Sequence, residues 1–180
     1  MKNIYGSKST FAIEYEKENN EECTFEMWVD GKPICCFTRN GEFQKYRWNL
    51  SSLVEWFEQN IEYIITEREF PLLIKADSSI DFYVKSSEFD TDDMEAFDRW
   101  FDIRQEWYFH HSWFINRDGS FLPDVFFRVV GEKVEIEWDN TYTYEDIIFK
   151  FPKGLFYVDK QDFCNTLYRF LNSYKEQIEA

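Results

Sequence analysis

Residues 124–140 read DVFFRVVGEKVEIEWDN, and this stretch decides the fold that the sequence predicts. If Gly131 and Glu132 are the two central residues of a tight turn, the glycine stands where a type II′ turn needs it. One face of the resulting hairpin is then apolar, with three cross-strand pairs: Val125–Trp138, Phe127–Ile136 and Val129–Val134. The other face is mixed and mostly charged, and we expect it to point outward. Its pairs are Phe126–Glu137, Arg128–Glu135 and Val130–Lys133.

The beginning of the chain repeats this antiparallel pattern. Apolar and polar residues alternate in 10–16 and again in 24–29, and Asp30-Gly31 follows as a short turn signal. We expect 32–39 to be the return strand, which completes a three-stranded meander.

Three longer segments change to the period of an amphipathic helix: 50–65, 92–108 and 160–178. Short alternating runs predict further strands at 72–74 and 80–84. Strands followed by a helix, then strands and a helix again, favour an α+β fold in which the antiparallel hairpins and meander pack against three main helices. The length of 180 residues and the lack of a linker predict a single domain over 1–180.

The aromatic content is high for a chain of this size. Aromatic residues make up 21% of the sequence, with 20 Phe, 11 Tyr and 7 Trp. A core of this size does not need that many rings, so we expect some of them on the surface. Clustered exposed rings are typical of contact surfaces.

The charge is strongly negative, with a formal net value of −15. Binding to a nucleic-acid backbone or an anionic membrane requires the opposite sign, so both are disfavoured. The protein partner that this charge favours is a basic one.

The sequence also predicts a compartment. Cys23, Cys35, Cys36 and Cys164 lack the spacing of a secreted disulfide scaffold, and the first residues lack the apolar segment of a signal peptide. No apolar run approaches the roughly 18 residues that span a bilayer. We therefore expect a cytoplasmic protein with reduced thiols and no structural metal.

Familiar catalytic motifs are absent from the sequence. The six glycines are scattered, so no phosphate-binding loop is present, and neither a Gly-x-Ser-x-Gly nor a His-Glu-x-x-His pattern occurs. This predicts a protein without a cofactor and without enzymatic activity. The alternative is an enzyme of unrecognised type that uses His110 or His111 with Asp124.

Acidic residues form blocks along the chain. Residues 14–30 hold seven acids against one lysine, and 88–106 hold eight against two arginines. We expect a partner-binding surface with aromatic anchors surrounded by acids. The anchors are Trp107, Tyr108, Trp113, Tyr142 and Tyr144, and the acids are Asp92, Asp93, Glu137 and Asp139. A second alternative is a nucleic-acid mimic that blocks a DNA-binding or nuclease protein.

Two segments resemble known proteins. The run LPDVFFRVVGEKVEIEWDN at 122–140 is similar to a segment that recurs in uncharacterised bacterial proteins, some of them encoded near toxin, immunity or defence genes. FAIEYE at 11–16, followed by MWVDGKP at 27–33, is similar to the openings of small acidic immunity-type proteins. The resemblance implies a neutralising or accessory binding role, as in an immunity or antitoxin-like protein, and carries no functional residue with it.

Overall fold

The computed structural model describes residues 2–18, 22–141 and 146–179. Antiparallel strands and helices occupy separate stretches of the chain instead of alternating one by one. The predicted α+β class is therefore confirmed. The first sheet has the strand order β1-β2-β3-β4, and β7 also pairs with β3. Its strands are β1 (Lys2–Gly6), β2 (Phe11–Lys17), β3 (Cys23–Val29), β4 (Lys32–Pro33) and β7 (Arg47–Trp48).

Two smaller sheets complete the strands of the described chain. One has the order β10-β5-β6 and the other β11-β9-β8. Their strands are β5 (Phe37–Arg39), β6 (Glu42–Gln44), β8 (Phe126–Val130), β9 (Lys133–Asp139), β10 (Ile147–Phe149) and β11 (Lys153–Asp159).

The return strand expected at 32–39 is wrong as one element. It divides into β4, which stays on β3, and β5, which pairs with β6 and β10 in another sheet. Between them, Ile34, Cys35 and Cys36 are all buried. Residues 34–36 belong to no strand, and the chain bends at Cys35, which separates β4 from β5.

The hairpin of β8 and β9 has the register that its sequence predicts. Phe127 lies opposite Ile136 and Arg128 opposite Glu135. Gly131 has a φ of +58°, which suits the first central position of the turn. The face of Phe127 and Ile136 is fully buried, as expected.

The expectation for the opposite face of the hairpin is wrong except next to the turn, where Val130 and Lys133 are exposed, because the rest of that face is covered. Glu135 is 0% exposed and Phe126 is also buried. The covering element is helix α2 (Ser79–Ser86), where alternation had predicted a strand at 80–84, while 72–74 forms no strand. Ser78 caps α2 with its side chain, a local signal for a helix that the short apolar alternation obscured.

The three predicted helices are present: α1 (Ser51–Ile65), α3 (Met94–His111) and α4 (Lys160–Glu179). Asp93 caps α3, since its carboxylate accepts a hydrogen bond from the Ala96 amide at 3.1 Å. A short 3₁₀ turn (Phe114–Arg117) follows α3. One cluster of buried apolar side chains joins the first sheet, α1, α4 and the β8–β9 hairpin.

Candidate functional site

Helix α3 is held on the protein by its inner side. Trp100 donates its indole N–H to the Ser86 carbonyl at 2.8 Å, and the Arg104 Nε donates to the Ser86 hydroxyl at 2.9 Å. Further along the helix, Trp107 and His111 are buried. This inner side fixes which face of α3 points away from the protein.

The outer face of α3 presents an apolar stripe. Met94 is 68% exposed, and Phe97, Phe101 and Phe109 are 38–47% exposed. Their spacing of three, four and eight residues places them on one side of the helix. Met94, Phe97 and Phe101 are neighbours on the helix surface, and Phe109 lies about 12 Å beyond Phe101 along the axis, whereas singly scattered apolar residues are ordinary.

A stripe of carboxylates runs beside the phenylalanines. Glu95, Asp98, Asp102 and Glu106 are exposed and follow one another at spacings of three, four and four residues. They cover about 16 Å of the helix axis. Within the described part of the chain none of the four has an ion-pair partner, and Arg99 is the exposed base near them. We call these two stripes together the α3 face.

A cleft of about 260 Å³ opens next to the α3 face. It lies between the end of α1, the segment 68–71 and the second half of α3. The residues that line it are Tyr63, Arg68, Glu69, Pro71, Ile103, Glu106, Trp107, His110 and His111.

Both histidines in this cleft are packed against aromatic rings. His110 stacks on Tyr63 with ring centroids 3.6 Å apart and an angle of 3° between the rings. His111 stacks on Trp107 at 4.6 Å. The Arg68 guanidinium lies 4.4 Å from the Tyr63 ring, so the cleft wall already holds one cation on an aromatic face.

Burial keeps both imidazoles neutral. His111 is 5% exposed, and its Nδ1 lies 2.8 Å from the Phe127 carbonyl oxygen. Removal from water lowers the pKa of His111 to about 4 and also lowers the pKa of His110. At neutral pH each ring therefore carries one proton and one lone pair.

The pKa of His111 predicts a dependence of stability on pH. Because the folded pKa of about 4 lies below the ordinary 6.5, neutral His111 stabilises the fold above pH 6.5. That stability, up to about 3 kcal/mol, is lost as the pH falls from 6.5 to 4. We expect a His111→Gln variant to lose less stability over this interval than the parent protein, as measured by urea unfolding at both pH values. Equal losses would contradict a pKa shift at His111.

The three residues of the alternative enzymatic site have separate partners. The Asp124 carboxylate accepts hydrogen bonds from Tyr108 at 3.0 Å and from Ser112, and burial raises its pKa. His110 bonds to Asn60, and His111 to the backbone of Phe127. No hydrogen bond joins either histidine to Asp124 in the described chain, so no acid–base pair is formed there.

The cysteines show no sign of activation. All four are free thiols, and Cys23, Cys35 and Cys36 are buried. Burial raises the pKa of Cys36 to about 11 and raises the pKa of Cys35 well above its ordinary value. A nucleophilic cysteine needs a lowered pKa, so these thiols are protonated at neutral pH.

Three of the five predicted anchors are inside the protein. Trp107, Tyr108 and Trp113 are at most 8% exposed, so the expectation that they form a contact surface is corrected. They belong to the inner side of α3 and to the core under it. Tyr142 and Tyr144 lie outside the described residues.

The predicted acids are only partly on one surface. Asp92 and Asp93 are exposed at the start of α3, beside the α3 face. Asp139 is exposed on β9, and it accepts a hydrogen bond from the Thr141 amide at 3.1 Å. Glu137 is half-buried and accepts a hydrogen bond from the Ile80 amide at 2.7 Å, so it holds α2 in place.

Sequence reasoning missed the residues that do form the exposed stripe. One signal was available: α3 carries apolar residues on more than half of its circumference, and only one side can face the core. Which side faces outward depends on contacts such as that of Trp100 with Ser86, which the sequence does not reveal.

Comparison with known proteins adds no relative. No family model, curated protein or solved structure matches the chain. None of the described helices is long and apolar enough to cross a membrane. Among the described residues, no three histidine, cysteine or acidic side chains are grouped so that they could hold a metal ion.

Proposed function

We propose that the protein attaches to a basic protein partner through the α3 face and thereby inhibits it. The observation that carries the proposal is the pair of parallel stripes on one exposed helix, one apolar and one acidic. Neutralisation of a toxin by an immunity or antitoxin-like protein is the form of inhibition that the sequence resemblance implies.

The two stripes contribute to binding in different ways. Phenylalanine side chains that become buried against a partner contribute most of the affinity, because they leave water completely. Exposed carboxylates contribute less to affinity but accelerate the approach of a positively charged surface. The overall charge of −15 acts in the same direction.

The proposal predicts a strong effect of the exposed rings. A Phe97→Ser/Phe101→Ser variant is expected to lose about 100-fold in affinity for the partner. The partner would first be recovered from the native host by affinity purification and identified by mass spectrometry. Binding rates of the purified pair would then be measured by surface plasmon resonance.

Two matched variants separate rings from charges. Phe43→Ser removes a ring that is 60% exposed on strand β6, which is not part of the α3 face, and it should leave partner binding unchanged. Asp98→Asn/Asp102→Asn should slow association about tenfold at low salt while dissociation stays nearly constant. A recovered partner that is acidic, or one that binds the Phe97/Phe101 variant as tightly as the parent, would contradict the proposal.

Nucleic-acid mimicry is the second candidate, because the α3 carboxylates do lie in a line. Neighbouring acids are separated by about 4.5–6 Å along the helix axis, whereas the phosphates of one DNA strand follow one another at about 3.4 Å along the axis of the duplex. Phe97 and Phe101 also lie beside this line of acids. A mimic would tolerate the loss of Phe97 and Phe101 and fail on loss of the acids, so the same variants distinguish the two functions.

A further inference from the structure

We propose that the cleft beside the α3 face receives the side chain of an arginine presented by the basic partner. This inference rests on the function proposed above and adds the chemistry that the cleft recognises. Glu106 and His110 line the cleft and also line a shallower depression that contains Phe101 and Phe109. The cleft is thus continuous with the α3 face, and one docked partner would cover both.

The size of the cleft suits a single side chain. Its volume of about 260 Å³ is below the range of about 300–1,000 Å³ that is usual for sites of drug-sized ligands. Ile103, Pro71 and Trp107 provide apolar walls along which the methylene groups of a long side chain can pack.

The two histidines of the cleft wall each keep a hydrogen-bond acceptor. Asn60 donates its amide N–H to the Trp56 carbonyl at 2.8 Å, so its oxygen faces His110 and accepts the proton on His110 Nδ1 at 2.7 Å. His111 donates from Nδ1 to the carbonyl of Phe127. Each ring therefore keeps a lone pair on Nε2.

These Nε2 atoms have no hydrogen-bond partner within the described chain. His111 is buried to more than nine-tenths, and yet it is part of the cleft wall. Among the described side chains only the Arg128 Nε is a sealed polar atom without a partner, so the Nε2 of His111 is accessible to solvent, and a ligand that brings a donor can bond to it.

The charges around the cleft favour a cation. Glu69 and Glu106 supply two carboxylates, against the single guanidinium of Arg68. Arg68 is exposed and lies over the Tyr63 ring at the rim of the cleft. An anionic ligand would meet these two carboxylates, and Arg68 is the one base among the described residues that line the cleft.

Among biological cations, the guanidinium of arginine fits this set best. It carries five N–H donors and no acceptor, which matches a cleft of imidazole lone pairs and carboxylates. It also packs on aromatic rings and is more weakly hydrated than the ammonium of lysine. Arg68 on Tyr63 shows the same contact within the chain.

The test uses the intact protein and N-acetyl-arginine amide as the probe. The sequence holds two histidines, so the imidazole Hε1 protons give two resolved NMR signals, which a His110→Gln variant assigns. We expect the His111 signal to shift with saturation in the millimolar range, as suits one isolated side chain. N-acetyl-citrulline amide has the same shape without the charge, and it should cause no saturable shift.

Three variants test how the charges around the cleft change the affinity for the arginine probe. Glu106→Gln should weaken probe binding about threefold to tenfold, because it removes a carboxylate from the cleft. Arg68→Gln should tighten binding, because it removes the competing cation. Glu42→Gln, at an exposed position of β6 outside both the α3 face and the cleft, should change nothing.

Several results would overturn the inference. They are equal binding of the citrulline and arginine probes, weaker binding after Arg68→Gln, or no shift of His111 at any probe concentration. The experiment needs no partner, so its failure is distinguishable from that of the proposed function. If the partner required Phe97 and Phe101 but the arginine probe did not bind, the arginine site would be refuted and the binding role of the α3 face would stand.

Discussion

Replacing Phe127 with aspartate is expected to unfold the protein. Phe127 is fully buried, and its ring packs within about 6 Å, between centroids, of four other rings. These are the rings of Trp56, Phe57, Trp113 and Phe163. Loss of a buried phenylalanine costs about 3–5 kcal/mol, and an unpaired buried carboxylate costs several more. The sum is comparable to the whole stability of an ordinary domain, about 5–15 kcal/mol.

Circular dichroism and urea unfolding would measure this effect. Val130→Asp provides the control, since Val130 lies three residues further along the same strand and is 41% exposed. That variant should stay folded with a loss below about 1 kcal/mol. A cooperatively folded Phe127→Asp protein would mean that the β8–β9 hairpin does not face the core as described.

The second large effect concerns Glu135, a carboxylate buried between α2 and the hairpin. It accepts hydrogen bonds from the Ser79 amide at 2.9 Å and from the Ser79 hydroxyl at 2.5 Å. Arg128 at 2.8 Å and the Tyr157 hydroxyl at 3.0 Å complete its partners. Glu135→Gln leaves Arg128 without its counter-charge and should destabilise the fold by about 3–5 kcal/mol.

Two comparisons make this prediction specific. Glu137→Gln removes the half-buried neighbour, which also binds the start of α2, and should cost only about 1 kcal/mol. The double variant Glu135→Leu/Arg128→Met removes both charges, and it should recover most of the stability that Glu135→Gln loses. If both Gln variants lost the same stability, burial of the Glu135–Arg128 pair would not be the cause.

The hairpin shows what the sequence determines by itself. Gly131 admits one turn, and the alternation of Phe127, Val129, Val134 and Ile136 admits one register, so the pairing could be predicted residue by residue. The burial of the opposite face of the hairpin could not be predicted in this way. Glu135 and Arg128 have the composition of a solvated surface, and only the arrival of α2 from elsewhere in the chain makes them interior.

The candidate site illustrates the same limit. The acidic character of 88–106 and the helix in it were predictable, because charge and period are local properties. Which rings are exposed was not. Trp107 and Phe109 differ by two positions on α3, and their burial differs because one packs on Phe70 and the other does not face the protein. Tertiary contacts determine which rings of α3 are exposed. Composition alone favoured the tryptophans as surface anchors.

The contact between β2 and α4 has a consequence for synthesis of the protein on the ribosome. Tyr15 of β2 packs on Phe170 of α4, and its hydroxyl lies 3.2 Å from that of Ser173, 158 residues later in the chain. At a translation rate of about 5–20 residues per second, Tyr15 is synthesised about 8–30 s before Ser173. During that interval the apolar side of the first sheet is open to other chains. We therefore expect the nascent chain to bind chaperones that cover exposed apolar strands.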